Sequence, residues 1–245
     1  MGNAPFDVEQ ERGGRVAGPA DAGLVQDLSH GTAAGHHERA LRSWMESIPS
    51  GWRVYLTFWH KPNDELRNGA FSGREYRRAW ARLSKIRRSQ VNLRRGVRLS
   101  LVPVFMSYLV GKKTGWSDGW VPEPNEVSFV SWDIYGNPFG GDGLRGRYPS
   151  PAAGINPCMR ASKRIGHRQW GVTEFNTPRR HWDADEHSRK IWLDRFRQHC
   201  LNTRRAAVPE LGAPKILLLW EGMGTNWDQR FKTRATERWW SGVVS

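Results

Sequence analysis

The amino-acid sequence predicts an α/β fold with a buried parallel sheet, and three observations lead there. Five short segments between residues 53 and 220 are apolar on both faces, the pattern of strands covered by helices on each side. Stretches with helical periodicity follow them in alternation. The length agrees, since 245 residues suit one closed barrel or one large domain.

The elements can be justified in order. Residues 1–35 are rich in Gly, Ala and charge without sustained periodicity and read as a loose leader, with Gly23–Leu28 a strand remnant; residues 36–245 form the folded part. From His36, the sequence HHERALRSWMESI puts Ala40, Leu41, Trp44, Met45 and Ile48 on one side of a helix, which Pro49-Ser50-Gly51 ends. Arg53–Phe58 (RVYLTF) is a strand. Gly73–Arg88 is a helix whose inner stripe is Tyr76, Ala79, Trp80, Leu83 and Ile86. Strands follow at Arg98–Tyr108, Val127–Tyr135, Trp170–Phe175 and Lys215–Trp220, with helices at Ala152–Ile165, Asp183–Arg205 and Asp228–Val244. Gly140–Gly143 reads as a turn rather than a phosphate-binding loop, because it follows a later strand and not the first.

Composition narrows the function classes. No window approaches the roughly 18 apolar residues of a membrane span, and the N-terminus lacks the apolar core of a signal peptide. A cytoplasmic location is expected for the chain as written, and a secreted or virion-associated one for a chain truncated at its N-terminus. Cys158 and Cys200 are too few for a disulfide framework and read as buried thiols. The 38 basic residues, 30 Arg and 8 Lys, against 24 acidic ones give a net charge of +14. Arg are scattered from Arg12 to Arg238, and the densest run, Arg74 to Arg98, forms the outer face of a helix. A solvated face is the preferred reading over a phosphate-tracking surface, with nucleic acid an alternative partner.

Chemistry-bearing residues collect at strand ends. His60 follows the first strand, Asp133 and Tyr135 end the third, Glu174 ends the fourth, and Trp220 and Glu221 end the fifth. Side chains at the C-terminal ends of parallel strands face the active site in barrels, and doubly wound sheets present ligands similarly, so these positions fit either architecture. His60, His167, His181 and His187 show no metal-ligand spacing. With 14 Trp in the chain, core packing is the alternative role for Trp59, Trp132, Trp170 and Trp220.

The segments YLTFWHKPNDE, GREYRRAWARL, SWDIYGNP, WGVTEFNTPR and LLLWEG, in that order and spacing, resemble the second half of a glycoside hydrolase family 26 barrel, a mannanase-like family. The resemblance implies a partial TIM-type (β/α) barrel lacking its first strands, since 52 residues before the first strand cannot hold three strand–helix units. It leaves two sheet edges open for assembly. It implies no cofactor and no metal, and a polysaccharide or oligosaccharide partner with β-linked sugars, mannan among them. Carried over residue by residue, His60 matches the motif His, Pro62 its Pro and Asp64 its Asp. Glu174 matches the nucleophile, Asp133 and Tyr135 the Asp-x-Tyr pair, and Trp220 the aromatic residue after the last strand. With Tyr135, Trp220 and Trp59 are the expected sugar-stacking rings. Lys61 stands at the general acid/base position, and Asn63 at the next acidic one. Retaining hydrolysis uses two carboxyl groups about 5–5.5 Å apart, and an ammonium with an ordinary pKa near 10.4 is a poor proton donor. Asp64 and Glu65 are placed on a following loop. The resemblance therefore implies either a glycosidase impaired at its acid step or a saccharide-binding pseudoenzyme.

Overall fold

Five parallel strands lie side by side in the order in which the chain makes them. The computed structural model describes residues 34–90, 96–110, 115–136, 147–202, 204, 206–220, 223–224, 227–228, 234 and 236–239. The elements are α1 (Ala34–Ser47), β1 (Arg53–Leu56), α2 (Asn63–Asn68), α3 (Gly73–Arg88), β2 (Arg98–Leu101) and β3 (Val104–Met106). After them come β4 (Val130–Tyr135), α4 (Pro151–Arg164), β5 (Trp170–Asn176), α5 (His187–Leu201), β6 (Leu217–Leu219), and a hairpin of β7 (Met223–Gly224) and β8 (Trp227–Asp228). Residues 1–33 of the leader, Gly23–Leu28 among them, and the Gly140–Gly143 turn lie outside the described residues, while Ala34 and Gly35, expected in the leader, begin α1.

β1 pairs with β2 in register Arg53↔Arg98 to Leu56↔Leu101, and β3, β4, β5 and β6 pair in that order, all parallel. β2 and β3 are successive pieces of one strand. Pro103 interrupts them because it has no N–H to give the ladder, while a parallel bridge between His60 and Val104 carries the pairing across the break. Sequential order without a reversal distinguishes the singly wound, barrel-type arrangement from the doubly wound one. The fold is α/β with the strand order of a partial (β/α) barrel, and among the described residues β1 and β6 are its edges.

Local chemistry accounts for the helices. α3 starts after Ser72, whose Oγ accepts from the Glu75 N–H at 3.2 Å while Glu75 Oε2 accepts from the Ser72 N–H at 2.7 Å, a reciprocal capping box. Gly73 is needed there, since a Cβ would lie 2.7 Å from the Trp120 ring. The inner stripe Tyr76, Ala79, Trp80, Leu83 and Ile86 is buried as the periodicity predicts. It meets Phe58 and Phe105 from the sheet in stacked and edge-on pairs 5.1 to 6.0 Å apart. Each large apolar side chain buried this way contributes about 1.5–3 kcal/mol.

Several expected boundaries move. The third predicted strand begins at Val130 and not Val127, and the second ends at Met106, where Ser107–Leu109 turn into a 3-10 helix. The helix expected from Asp183 begins at His187, because the Asp183 carboxylate lies outside it and accepts from the Ser188 and Arg189 N–H groups at 2.9 and 2.8 Å. Asp64 and Glu65, expected on a loop, belong to the short helix α2. Asp228 lies in β8 and not in a helix; residues 234 and 236–239 are helical.

The basic face of α3 is partly neutralised: Arg82 pairs with Glu38 at 2.5 Å, as Arg42 does at 2.7 Å, and Arg77 lies 3.8 Å from Glu123. Cys158 and Cys200 are free and buried, and burial pushes both thiols up. No helix among the described residues is long and apolar enough to cross a membrane.

Candidate functional site

Three strand ends converge at the C-terminal edge of the sheet. The first delivers His60 and Lys61, held there by backbone: the Lys61 N–H donates to the Val104 carbonyl at 3.2 Å. Just beyond, the buried Asn63 side chain pairs with the Met106 main chain in both directions, at 2.8 and 3.2 Å, pinning the start of α2 to the end of β3. Lys61 has φ 63°, a left-handed conformation that costs a non-glycine residue roughly 1–2 kcal/mol. Strained backbone of this kind is concentrated where surrounding structure fixes a side chain's direction.

β4 and β5 supply the carboxylates. The register shifts at Trp132/Asp133, so that Trp132 faces Val172 but Asp133 faces Glu174. One extra residue on β5, Thr173, makes this a bulge of the kind found beside active sites. The bulge sets Asp133 and Glu174 opposite each other, and Thr173 Oγ1 donates to Asp133 Oδ1 at 2.9 Å.

The groups form one closed network. His60 Nε2 lies 2.8 Å from Asp133 Oδ2 and 3.5 Å from Glu174 Oε1. Lys61 Nζ lies 2.6 Å from Glu174 Oε2 and 3.3 Å from Asp133 Oδ2. The Tyr135 hydroxyl donates to Glu174 Oε2, and Lys61 Nζ sits 5.8 Å from the Tyr135 ring centre. Trp220 meets the Tyr135 ring edge-on at 6.1 Å. Its carbonyl accepts from Asn176 Nδ2 at 2.7 Å, and Asn176 Oδ1 in turn accepts from the buried Arg189 at 3.0 Å. Trp59 is placed elsewhere: its ring is buried and packs edge-on against Phe71 at 5.1 Å, a core contact. Asp64 is exposed, bonded by Tyr108 at 2.7 Å and paired with Arg67 at 3.0 Å.

Charge is shared unevenly. Burial opposes ionisation of Asp133, yet the His60 charge and hydrogen bond, with Lys61 and Thr173, hold its carboxyl below the ordinary value. Burial and the neighbouring Asp133 charge push Glu174 above its ordinary value against the pull of Lys61 and His60. For His60 and Lys61, burial favours the neutral form, but Asp133 and Glu174 outweigh it and both are raised. Burial, then the Glu174 charge, pushes the Tyr135 hydroxyl up, which keeps it a donor. Asp133 is thus a fixed anion with a fully buried side chain, and Glu174, at 12% side-chain exposure, is the carboxylate a ligand can touch.

His60, Asp133 and Glu174 also offer three ligand atoms within 4.8 Å of one another, as a divalent cation would require. Wide separation along the chain hides such a set from any spacing rule. The Lys61 ammonium already contacts both carboxylates, so it fills the cation's place in this geometry.

No described protein family matches the chain, and no curated protein does. Among solved structures it is similar to the Bacillus subtilis mannanase man26, at 13% identity and a TM-score of 0.42, covering 86% of this chain and 55% of that one. It is also similar to the YdhT protein from Bacillus subtilis, at 12% identity and a TM-score of 0.40, with the same coverages of 86% and 55%. The chain spans about half the length of these structures.

Proposed function

We propose that the chain is a glycoside-hydrolase-like protein of the retaining type. Its site takes a β-linked saccharide, Glu174 is the nucleophile, and Lys61 stands in place of the proton donor. The observation that carries this reading is the 2.6 Å contact between Lys61 Nζ and Glu174 Oε2. It supports the reading in that a cation, held protonated by two carboxylates, lies beside the proposed nucleophile, at the residue that the resemblance aligns with the second carboxyl group of a retaining site. Asp133 cannot substitute, being buried and held ionised. Loss of general acid catalysis costs about 10²–10⁴ in rate, so glycosides that need a protonated leaving group are turned over poorly. Trp220 and Tyr135 supply the rings against which a sugar's C–H face packs.

The same contact favours a second reading, saccharide binding without turnover, because Lys61 and Tyr135 together occupy the oxygen with which Glu174 would attack. Aryl β-glycosides separate the two, since an aryl leaving group departs with little protonation. The assay is release of the aryl alcohol from a panel that includes the mannoside, by the wild type, Lys61→Glu and Glu174→Ala. Turnover that is lost in Glu174→Ala and raised in Lys61→Glu supports the damaged glycosidase. Saturable oligosaccharide binding with no turnover in any folded variant supports the binding protein. Neither turnover nor binding overturns both.

A further inference from the structure

We infer that the glycosides this site cleaves are β-glycosyl phosphates, with phosphate the leaving group and Lys61 its counter-ion. The inference rests on the glycosidase reading and names its substrate class.

A site with a lysine at its acid/base position can still break a glycosidic bond if the departing oxygen is stable as an anion. A phosphate ester, with a second pKa of about 6, is still partly monoanionic near neutral pH, and from that form hydrogen phosphate departs as a stable anion, a condition that an alcohol does not meet. The departing oxygen also needs a positive group where its charge develops. Lys61 supplies one beside Glu174, with its side chain 31% exposed while that of Asp133 is fully covered. An ammonium has three donors. Glu174 and Asp133 take two, leaving one for a ligand oxygen. A second cation, Arg179, is exposed on the loop leaving the strand that carries Glu174, and no ion pair engages it among the described residues. The net charge of +14 draws anions to the protein as a whole.

The ion pair with Glu174 then acquires a use. The phosphate monoanion of the substrate competes for Lys61, and as the ammonium turns toward it Glu174 Oε2 loses one of the two donors that hold it, keeping the Tyr135 hydroxyl, and becomes a better nucleophile. In the first step a bond forms between the Glu174 carboxylate and the anomeric carbon. The bond from that carbon to the phosphate oxygen breaks, and its electron pair leaves with that oxygen, so that the monoanionic ester releases hydrogen phosphate as a dianion. In the second step water attacks the anomeric carbon, the carboxylate departs, and the water proton passes to the hydrogen phosphate, giving the free sugar and dihydrogen phosphate.

The experiment measures inorganic phosphate released from β-configured manno-, gluco- and galactosyl phosphates, beside aryl alcohol released from dinitrophenyl β-glycosides of the same sugars. Wild type is expected to turn over both, and Glu174→Ala neither. In Lys61→Met the ratio of phosphate to aryl turnover should fall about 10- to 100-fold, the value of one hydrogen bond between charged groups. Lys61→Arg, which keeps the cation, should restore most of that ratio, an effect that a merely structural role for Lys61 would not give. Arg179→Ala should raise the KM for the phosphate and leave that for the aryl glycoside unchanged. Glu174-dependent aryl turnover without phosphate release overturns the inference and leaves the glycosidase reading standing. Absence of turnover on both substrates overturns that reading and the inference with it.

Discussion

Replacing Lys61 by Met removes the cation that two carboxylates share and retains most of the side chain's length. Asp133 and Glu174 then face each other with ligand oxygens within 4.8 Å. At an effective dielectric near 20, two unit charges at that distance repel by about 3.5 kcal/mol. A charged His60 offsets part of this, and the partial exposure of Lys61 and Glu174 screens more. The expected loss of stability near pH 7.5 is about 2 kcal/mol, below the 3–5 kcal/mol for breaking a fully buried pair. With a urea m-value of about 2–3 kcal/mol/M for a chain of this size, the unfolding midpoint falls by roughly 0.7–1 M. The sign of the pH dependence follows from the raised values. A Glu174 carboxyl raised in the folded state binds its proton more tightly than in the unfolded chain, so its protonation favours folding at low pH and that support disappears as pH rises through the folded value. His60, also raised, acts in the same direction: its contribution is complete below the unfolded value near 6.5 and is lost as pH rises through the raised folded value. Lys61 contributes fully below its unfolded value near 10.4, so it adds no slope of its own between pH 5 and pH 7.5. The deficit of Lys61→Met against wild type should therefore be largest at pH 7.5 and shrink toward pH 5, as urea titrations followed by tryptophan fluorescence can measure. An equal deficit at both values, or none, refutes the electrostatic account of this site.

Two further outcomes test how the fold holds the site. Ser72→Ala removes the acceptor that caps α3 and should cost about 1 kcal/mol, lowering the melting temperature by about 2–4 °C in calorimetry; no change would mean that the cap is replaced by water. Asn176→Asp keeps the oxygen that Arg189 holds but replaces the N–H that ties the Trp220 carbonyl by a second acceptor, so oligosaccharide affinity should fall several-fold and the melting temperature by at least about 2 °C. Unchanged affinity would remove Trp220 from the saccharide surface.

The sequence made visible whatever repeats with a period or ends a strand. α3 was legible to both boundaries from its five-residue inner stripe, and the structure adds the Ser72–Glu75 cap at its start. Glu174, Asp133, Tyr135, Trp220 and His60 were legible as strand-end residues, and the structure brings all five together. Other features leave no periodic trace. α2 is six residues long, too short to show an amphipathic pattern. Asp183 reads as part of a helix although its carboxylate serves that helix from outside. The Thr173 bulge shifts one register position, and it is this shift that sets Asp133 against Glu174. The left-handed backbone at Lys61 runs against expectation, since a residue before proline favours extended backbone. Trp59 shows the limit of reading rings by position, because a strand-end Trp serves a core and a cleft equally well in sequence.

Position 61 joins stability and chemistry in opposite directions. A glutamate there would add a third carboxyl group beside Asp133 and Glu174 and leave His60 as the cation contacting them among the described residues. Such a cluster is electrostatically strained, and active sites store strain of this kind at the expense of stability. Lys61 relieves it by placing an ammonium within 3.3 Å of both carboxylates. The backbone keeps its own strain, since φ at Lys61 remains 63°. That strain aims whatever side chain stands at 61 toward Glu174, and a plain loop lysine would gain nothing from it. Backbone strain and the ion pair with Glu174 therefore fall on the same residue. On this reasoning, Lys61→Glu should gain a proton donor and lose stability in the same step.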